Sequence, residues 1–311
     1  MKKIDWKKTI KWAGTIISLG LFIWLLTRLN WKEAWTIVKD MPAYSYILAV
    51  LLLLLGQFFN SVRWFVLLRA QDVKITIPRT FTIHMGGTFA SNFLPSTIGG
   101  DSLRFLAIAK ITKDQPLSLA SVILDRLINL LATFTLIPFS VSIFKTTGMQ
   151  FDSNLLGFPI LAIFQGKAVD WIKRTIKKYL DLFKRWFKKP YSLLLAFIIS
   201  WFSRFVILGA VWVLSMGVGM NLTLWQVVGV NTVSYFVTLL PISISGYGLR
   251  EITLTTIYTM LGATLEQATA LTVITRIFST AITLPGVIWM RQIIADTKEI
   301  KRQTNSTIQS V

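Results

Sequence analysis

Five stretches of this chain are apolar for long enough to cross a bilayer, which takes about 20 residues in a helix. They cover residues 9–29, 44–68, 117–144, 191–219 and 268–290, and a shorter apolar stretch covers 155–169. Because 53% of the 311 residues are hydrophobic and only 15% are charged, a soluble globular domain is excluded. The sequence therefore predicts an all-α integral membrane protein with about six full transmembrane helices.

The basic residues of the chain are concentrated in five segments, whereas loops between them, such as residues 28–40, carry mixed or little charge. The positive-inside rule places all five segments in the cytoplasm, which accounts for the net charge of +19 without nucleic-acid binding. The first apolar stretch has no small-residue cleavage site before Arg28, so we interpret it as an uncleaved signal anchor. We expect a multi-pass protein of the cell (cytoplasmic) membrane with both termini in the cytoplasm. The five segments are residues 1–11, 69–79, 104–113, 173–189 and 291–302.

A twelve-residue phrase occurs twice, as LPSTIGGDSLRF at 94–105 and as LPISISGYGLRE at 240–251, with six identical positions. Each phrase combines Pro and Gly with an Arg beside apolar sequence, which predicts a broken helical hairpin. Broken backbone at membrane depth is tolerated where it is buried in protein or lines a wet cavity. The first hairpin is expected to enter through residues 77–93 and to leave through 102–111. The predicted hairpin breaks are Pro95, Gly99, Gly100, Pro241, Gly246 and Gly248.

The two hairpins are predicted to enter from opposite faces of the membrane, because the first phrase has cytoplasmic flanks and the second has external flanks. Span, broken hairpin and span thus form an inverted repeat, as in transporters that hold substrate near the midplane. Residues 43–145 are the first repeat and 190–293 the second, within a single membrane domain, 1–311. We also predict a basic amphipathic interfacial helix at 171–189 and a cytoplasmic tail at 294–311.

Four arginines hold equivalent places in the two repeats, one in each phrase and one in each following apolar stretch. An Arg at the centre of a spanning helix costs roughly 2.5 to 3.5 kcal/mol on insertion scales, so it is expected to be paired or functional. Guanidinium groups match the oxygens of a phosphate, which favours an anionic lipid headgroup as the ligand. Internal salt bridges are the alternative interpretation. The predicted headgroup-binding residues are Arg104, Arg126, Arg250, Arg276, Asp101, Asp125 and Glu251.

Acidic side chains near the first two arginines have specific expected partners. Asp101 lies three residues before Arg104, a spacing that places both on one helical face. Asp125 is adjacent to Arg126 but lies about 100° away around a helix. At one-turn spacing it is better placed to meet Ser121 or Asn129.

Other polar residues in the apolar regions are candidate accessory residues. Arg276 and Arg204 have no acidic neighbour within a turn, so they require a carboxylate from another helix or an anionic ligand. His84, the only histidine, is interpreted as a hydrogen-bonded packing residue rather than a proton relay. Asn92 and Asn231 enter the hairpins and either bind a headgroup or satisfy broken backbone.

The run FLPSTIGGDSLR, the Asp125–Arg126 pair and the run SGYGLRE with its following Arg276 resemble a known family. It comprises flippase-like membrane proteins related to the transmembrane region of lysylphosphatidylglycerol synthase, the multiple peptide resistance factor. The resemblance covers residues 10–290 and implies movement of phospholipids, especially aminoacylated phosphatidylglycerol, from the inner to the outer leaflet. Two departures stand out. Ser245 replaces a glycine that is frequent in the family, and because the sequence ends about twenty residues after the last span, we expect no soluble transferase domain like that of the full synthase.

The sequence therefore predicts translocation of an anionic or aminoacylated phospholipid, or another phosphate-bearing lipid, and no enzymatic activity. One alternative is a membrane enzyme acting on a lipid-linked substrate with Asp101, Asp125 and Glu251 as bases or metal ligands, although no HExxH, DxD or catalytic triad spacing supports it. The other is a scaffold subunit for a cytoplasmic lipid-modifying enzyme. We expect no catalytic residues, metal or cofactor. The predicted partners are membrane phospholipid and the anionic inner leaflet, not nucleic acid, with a homo-oligomer or a lipid-synthase partner as further candidates.

Overall fold

The computed structural model describes residues 27, 30–93, 97–146, 183–239 and 248–295. Within these ranges the secondary structure is helical, with no strand. The helices are α1 (Trp31–Asp40), α2 (Ala43–Arg69), α3 (Ile77–Phe93), α4 (Thr97–Thr112), α5 (Gln115–Phe134), α6 (Ile137–Thr146), α7 (Pro190–Gly217), α8 (Leu224–Leu239), α9 (Leu249–Met260), α10 (Leu265–Ala281) and α11 (Gly286–Ala295).

Three helical segments of the described chain are long and apolar enough to cross a membrane. They are α2 with 27 residues, Gln115–Val141 with 27 residues, and α7 with 28 residues. A fourth candidate is the pair α10 and α11, which are bent by 42° at the break between them. These four segments match the apolar stretches predicted at 44–68, 117–144, 191–219 and 268–290. The predicted spans at 9–29 and 155–169, most of the predicted interfacial helix and nearly all of the tail lie outside the described residues.

The long helices expose apolar side chains that a soluble protein would bury. Along α2 and α7 these side chains recur at three- and four-residue intervals, which places them on one face of each helix. Such continuous exposed apolar faces are suited to lipid rather than water, and they indicate a protein integral to a membrane. The exposed residues include Ile47, Leu51, Leu54 and Phe58 on α2 and Tyr191, Leu194, Ile198 and Phe202 on α7.

The same order of elements occurs twice: a long helix, two shorter helices, and a helix with a break. The first series is α2, α3, α4 and α5–α6, and the second is α7, α8, α9 and α10–α11. The paired shorter helices have 17, 16, 16 and 12 residues, fewer than the ~20 that a full crossing requires. Pro138 follows the break between α5 and α6, and Pro285 closes the break before α11. Proline removes a helical hydrogen bond at each position, which accounts for the interruptions.

The chain divides into two compact units. Unit I comprises Gly56–Ala132, Ile172–Ser203 and Thr280–Val311, and it contains α3 and α4. Unit II comprises Met1–Leu55, Thr133–Trp171 and Arg204–Ser279, and it contains α8 and α9.

In unit I, α3 and α4 pack backbone against backbone. A Cβ atom added at Gly100 would lie 2.2 Å from the Gly87 carbonyl oxygen and 2.0 Å from Ser91 Oγ. The helices therefore approach closely enough that a side chain is excluded. The predicted break residues Gly99 and Gly100 lie in the first turn of α4, which begins at Thr97, five residues before the predicted exit at 102. Pro95 lies outside the described residues.

In unit II, a hydrogen bond links α8 to α9. The amide Nδ2 of Asn231 donates to the Tyr258 hydroxyl over 2.9 Å. Gly248 precedes α9 with a φ of +81°. This left-handed conformation favours glycine, so a glycine suits the backbone at this predicted break. Pro241 and Gly246 lie outside the described residues.

Helix α1 occupies a segment that the sequence analysis treats as a loop of mixed charge. Its N-cap residue Asn30 accepts a hydrogen bond from the Glu33 backbone N–H over 3.3 Å. Trp31 and Trp35 lie one turn apart and are 61% and 70% exposed. The cap and the amphipathic pattern explain this helix, and both are visible in the sequence.

Candidate functional site

A buried carboxylate in unit I is bound by two arginines. Asp125, which is 1% exposed, accepts hydrogen bonds from Arg63 Nε over 2.6 Å and from Arg104 Nη2 over 2.8 Å. These two arginines are partners that the sequence analysis did not predict for Asp125; of the two residues that it did name, Ser121 donates to the Ser118 carbonyl and Asn129 Oδ1 accepts from Arg63. Helical spacing identifies neighbours on one helix, whereas the two arginines come from α2 and α4.

Arg63 is the residue of this site that sequence reasoning missed. Its Nη1 donates to Asn60 Oδ1, Asn129 Oδ1 and Ser200 Oγ over 3.2 to 3.3 Å, in addition to the Nε bond to Asp125. These contacts connect α2 to α5 and α7. The available signal was a cation inside the apolar stretch 44–68, which by the insertion-cost argument requires a partner.

Asp101 and Arg126 continue the chain of charges. Asp101 Oδ1 lies 3.8 Å from Arg104 Nη1, as their three-residue spacing predicts, and Asp101 Oδ2 pairs with Arg126 Nε. The Arg126 side chain is 52% exposed. We call Arg63, Asp101, Arg104, Asp125 and Arg126 the Asp125 cluster. Three guanidinium groups and two carboxylates leave it with a net charge of +1.

The Arg104 guanidinium is also covered by an aromatic ring. Its Cζ atom lies 4.0 Å from the centroid of the Trp64 ring, and Arg104 is 7% exposed. This is a cation–π contact inside the protein. The Nε atom of this buried side chain has no hydrogen-bond partner within the described residues. Two carboxylates therefore compensate the Arg104 charge, and the Trp64 ring covers one face of its guanidinium group.

The candidate accessory residues of unit I have polar partners. His84 is buried, and its Nε2 lies 3.0 Å from Gln57 Oε1, a geometry that fits the packing interpretation. Asn92 Nδ2 donates to Thr283 Oγ1 over 3.1 Å, at the break between α10 and α11.

Unit II contains a small recess between α9 and α10. The α10 side chains that line it recur at helical spacing and are all polar, so they form one polar face. We call this site the Arg250 recess. It is lined by Arg250, Glu251, Leu254, Thr272, Thr275, Arg276 and Ser279.

Glu251 is the acidic residue of the recess, and each of its two carboxylate oxygens has a partner. Its Oε1 lies 3.3 Å from Arg276 Nε, and its Oε2 accepts a hydrogen bond from the Gly248 backbone N–H over 2.8 Å. Arg276 thus has the carboxylate from another helix that its sequence context requires.

Arg250 is in a different situation from the other predicted arginines. It is half-buried, and among the described residues its side chain forms no hydrogen bond and no ion pair. The hydroxyl of the neighbouring Thr275 is buried and also has no partner among them. The recess therefore presents a cation and a hydroxyl that are available to a ligand.

The remaining predicted accessory residue, Arg204, lies in unit II. It donates to Thr133 Oγ1, and its Cζ is 5.0 Å from the Tyr235 ring centroid. Within the described ranges, no group of three His, Asp or Glu side chains is placed to hold a metal ion.

The chain combines long apolar helices with pairs of shorter helices, and arginines lie within these apolar regions. These features define a helical integral membrane protein with internal polar sites. Residues 11–286 match the family model described as the lysylphosphatidylglycerol synthase TM region. The chain belongs to this family, which confirms the resemblance and makes it a membrane domain of a lipid-related protein. A comparison with curated proteins found no match.

Proposed function

We propose that this protein moves a phosphate-bearing lipid, anionic or aminoacylated, between the leaflets of the membrane. The headgroup follows polar sites inside the protein, and the acyl chains remain in the bilayer. This is transport of an unchanged lipid, not an enzymatic reaction. The fork of a guanidinium group provides paired donors for the phosphate oxygens.

The observation that carries the proposal is Arg250 in its recess. A half-buried guanidinium group with no hydrogen bond and no direct ion pair among the described residues is costly in an apolar surrounding, so a protein that keeps one is expected to use it. The recess adds a free hydroxyl at Thr275 and further polar side chains at Thr272 and Ser279. Family membership supports a lipid as the ligand.

For the membrane arrangement we propose six crossings, with the α3–α4 and α8–α9 pairs as re-entrant hairpins in an inverted repeat. Exposed basic residues at the ends of α2, α3, α4 and α11 support a cytoplasmic location for these ends. They include Arg69, Arg79, Lys110, Lys113 and Arg291. On this arrangement both termini are cytoplasmic and the membrane is the cell membrane.

Reconstituted vesicles test the proposal directly. The protein is incorporated into phosphatidylcholine vesicles that contain fluorescent phosphatidylglycerol, and a membrane-impermeant reductant measures the fraction of the probe in the outer leaflet. We expect faster exchange than in protein-free vesicles. Arg250→Gln is expected to slow exchange about tenfold or more, because 1.4 kcal/mol of lost headgroup interaction corresponds to a factor of ten.

The matched control is Arg79→Gln, which removes an exposed arginine at the start of α3. It is expected to leave exchange within about twofold of the unsubstituted protein, since an exposed charge contributes less than about 1 kcal/mol. No acceleration over protein-free vesicles, or equal rates for Arg250→Gln and Arg79→Gln, would refute the proposal. Chromatography of the recovered lipid tests the enzyme alternative, which requires a chemically altered product.

A further inference from the structure

The two arginine sites of this chain differ in whether Arg104 and Arg250, which hold equivalent places in the two phrases, form a direct ion pair among the described residues. In the Asp125 cluster, Arg63 and Arg104 both bind the buried Asp125 carboxylate, at 2.6 and 2.8 Å. In the Arg250 recess, Glu251 is engaged by Arg276 and by the Gly248 N–H, and Arg250 is without a partner among the described residues. Arg104 and Arg250 hold equivalent places in the sequence, but only Arg104 forms a direct ion pair among the described residues.

One substitution between the repeats explains this difference. The segments VILDRLI and TVITRIF align so that Asp125 precedes Arg126 and Thr275 precedes Arg276. The first repeat thus places a carboxylate where the second places a hydroxyl. The Thr275 hydroxyl carries no charge and forms no ion pair with Arg250, on which Glu251 acts only without direct contact. Asp125, by contrast, forms a direct ion pair with Arg104 at 2.8 Å.

We infer that the lipid phosphate is bound at the Arg250 recess, and that the Asp125 cluster is a positioning element that does not bind it. This inference rests on the proposed function and specifies which of its arginines contacts the headgroup. Arg63 and Asp125 act through Arg104: they fix α4 against α2 and α5. Asp125 pairs with Arg104 and so prevents it from binding a ligand. Thr275, at the equivalent position, leaves Arg250 available to bind one.

Geometry supports a positioning role for the Asp125 cluster. Arg63 bonds to residues of α2, α5 and α7, and Arg104 lies over the Trp64 ring at 4.0 Å. Displacing Asp125 from two arginines by a phosphate would leave a carboxylate that is 1% exposed without its counter-ions. Breaking a buried ion pair in this way is strongly unfavourable.

The decisive experiment installs the missing carboxylate. Thr275→Asp gives Arg250 the counter-ion that Arg104 has, and Thr275→Asn is the matched uncharged control. Retention of phosphatidylglycerol by the detergent-solubilised full chain is measured by native mass spectrometry. We expect Thr275→Asp to weaken retention about tenfold or more, and Thr275→Asn to leave it within about twofold.

The converse arm tests the Asp125 cluster. Arg104→Gln is expected to leave retention, and the apparent KM for phosphatidylglycerol in vesicles, within about twofold, while it lowers the maximal exchange rate or the yield of folded protein. Arg250→Gln is expected to raise that KM about tenfold. If Arg104→Gln does not fold, the comparison uses Arg104→Lys instead, because lysine keeps a cation beside Asp125.

Each outcome has a separate meaning. If Arg104→Gln or Arg104→Lys weakens retention as much as Arg250→Gln, or if Thr275→Asp has no effect, the inference is overturned and the proposed function still stands. If the unsubstituted protein retains no phosphatidylglycerol and exchanges none, both proposals fail.

Discussion

Replacing Asp125 by Asn tests how strongly the Asp125 cluster stabilises the fold. Each hydrogen bond to a charged group contributes about 1.5 to 3 kcal/mol, so two such bonds suggest about 3 to 6 kcal/mol. Breaking a buried ion pair typically costs about 3 to 5 kcal/mol, which is consistent with that range. We therefore expect Asp125→Asn to lower the free energy of unfolding by about 3 to 5 kcal/mol. The variant also raises the net charge of the cluster from +1 to +2.

Unfolding in mixed micelles of dodecyl sulfate and dodecyl maltoside, followed by circular dichroism, measures this loss. The matched control is Asp72→Asn, because the Asp72 side chain is 89% exposed although it lies 3.2 Å from Lys189 Nζ. An exposed pair of this kind contributes at most about 1 kcal/mol. Arg63→Gln, alone and in the Asp125→Asn background, completes a double-mutant cycle for the Arg63–Asp125 pair. Equal losses for Asp125→Asn and Asp72→Asn would refute the stabilising role of the cluster.

Two further predictions concern the hairpin and the membrane arrangement. Gly100→Ala is expected to reduce the yield of monodisperse protein in size-exclusion chromatography, because the new Cβ would lie 2.2 Å from the Gly87 carbonyl oxygen. The control Gly209→Ala, whose new Cβ would have nothing within 4 Å, is expected to be tolerated. Similar yields for the two variants would contradict the close packing of α3 and α4. Because the chain has no cysteine, Lys39→Cys and Lys74→Cys each provide a single thiol. Impermeant maleimides should label them from opposite sides of the membrane, and labelling from one side would contradict the proposed topology.

Much of the fold follows from the sequence because hydrophobic length is a local property. The stretches 44–68, 117–144 and 191–219 correspond to α2, to Gln115–Val141 and to α7. The fourth, 268–290, forms a pair of helices with a 42° bend, which the proline at position 285 explains in retrospect. Helix α1 was missed because the hydropathy of a ten-residue amphipathic helix does not distinguish it from a loop.

The candidate site was less predictable, because its partners are distant in sequence. The Asp101–Arg104 contact follows from three-residue spacing on one helix, and the structure has it at 3.8 Å. The Arg63–Asp125 pair joins residues 62 positions apart, which no spacing rule identifies. The absence of a direct ion pair for Arg250 among the described residues likewise depends on what the neighbouring helix α10 places beside it, which at position 275 is a hydroxyl and not a carboxylate.

The separation of Arg63 from Asp125 has a consequence for biosynthesis. A ribosome adds about 5 to 20 residues per second, so the 62 residues that follow Arg63, up to and including Asp125, take roughly 3 to 12 s to translate. During that interval α2 carries an unmatched cation, and its partition into hydrocarbon is opposed by roughly 2.5 to 3.5 kcal/mol. Until α5 arrives with Asp125, the Arg63 charge therefore offsets part of the hydrophobic gain from inserting α2, and the Arg63 side chain acquires its carboxylate partner only when α5 is in place.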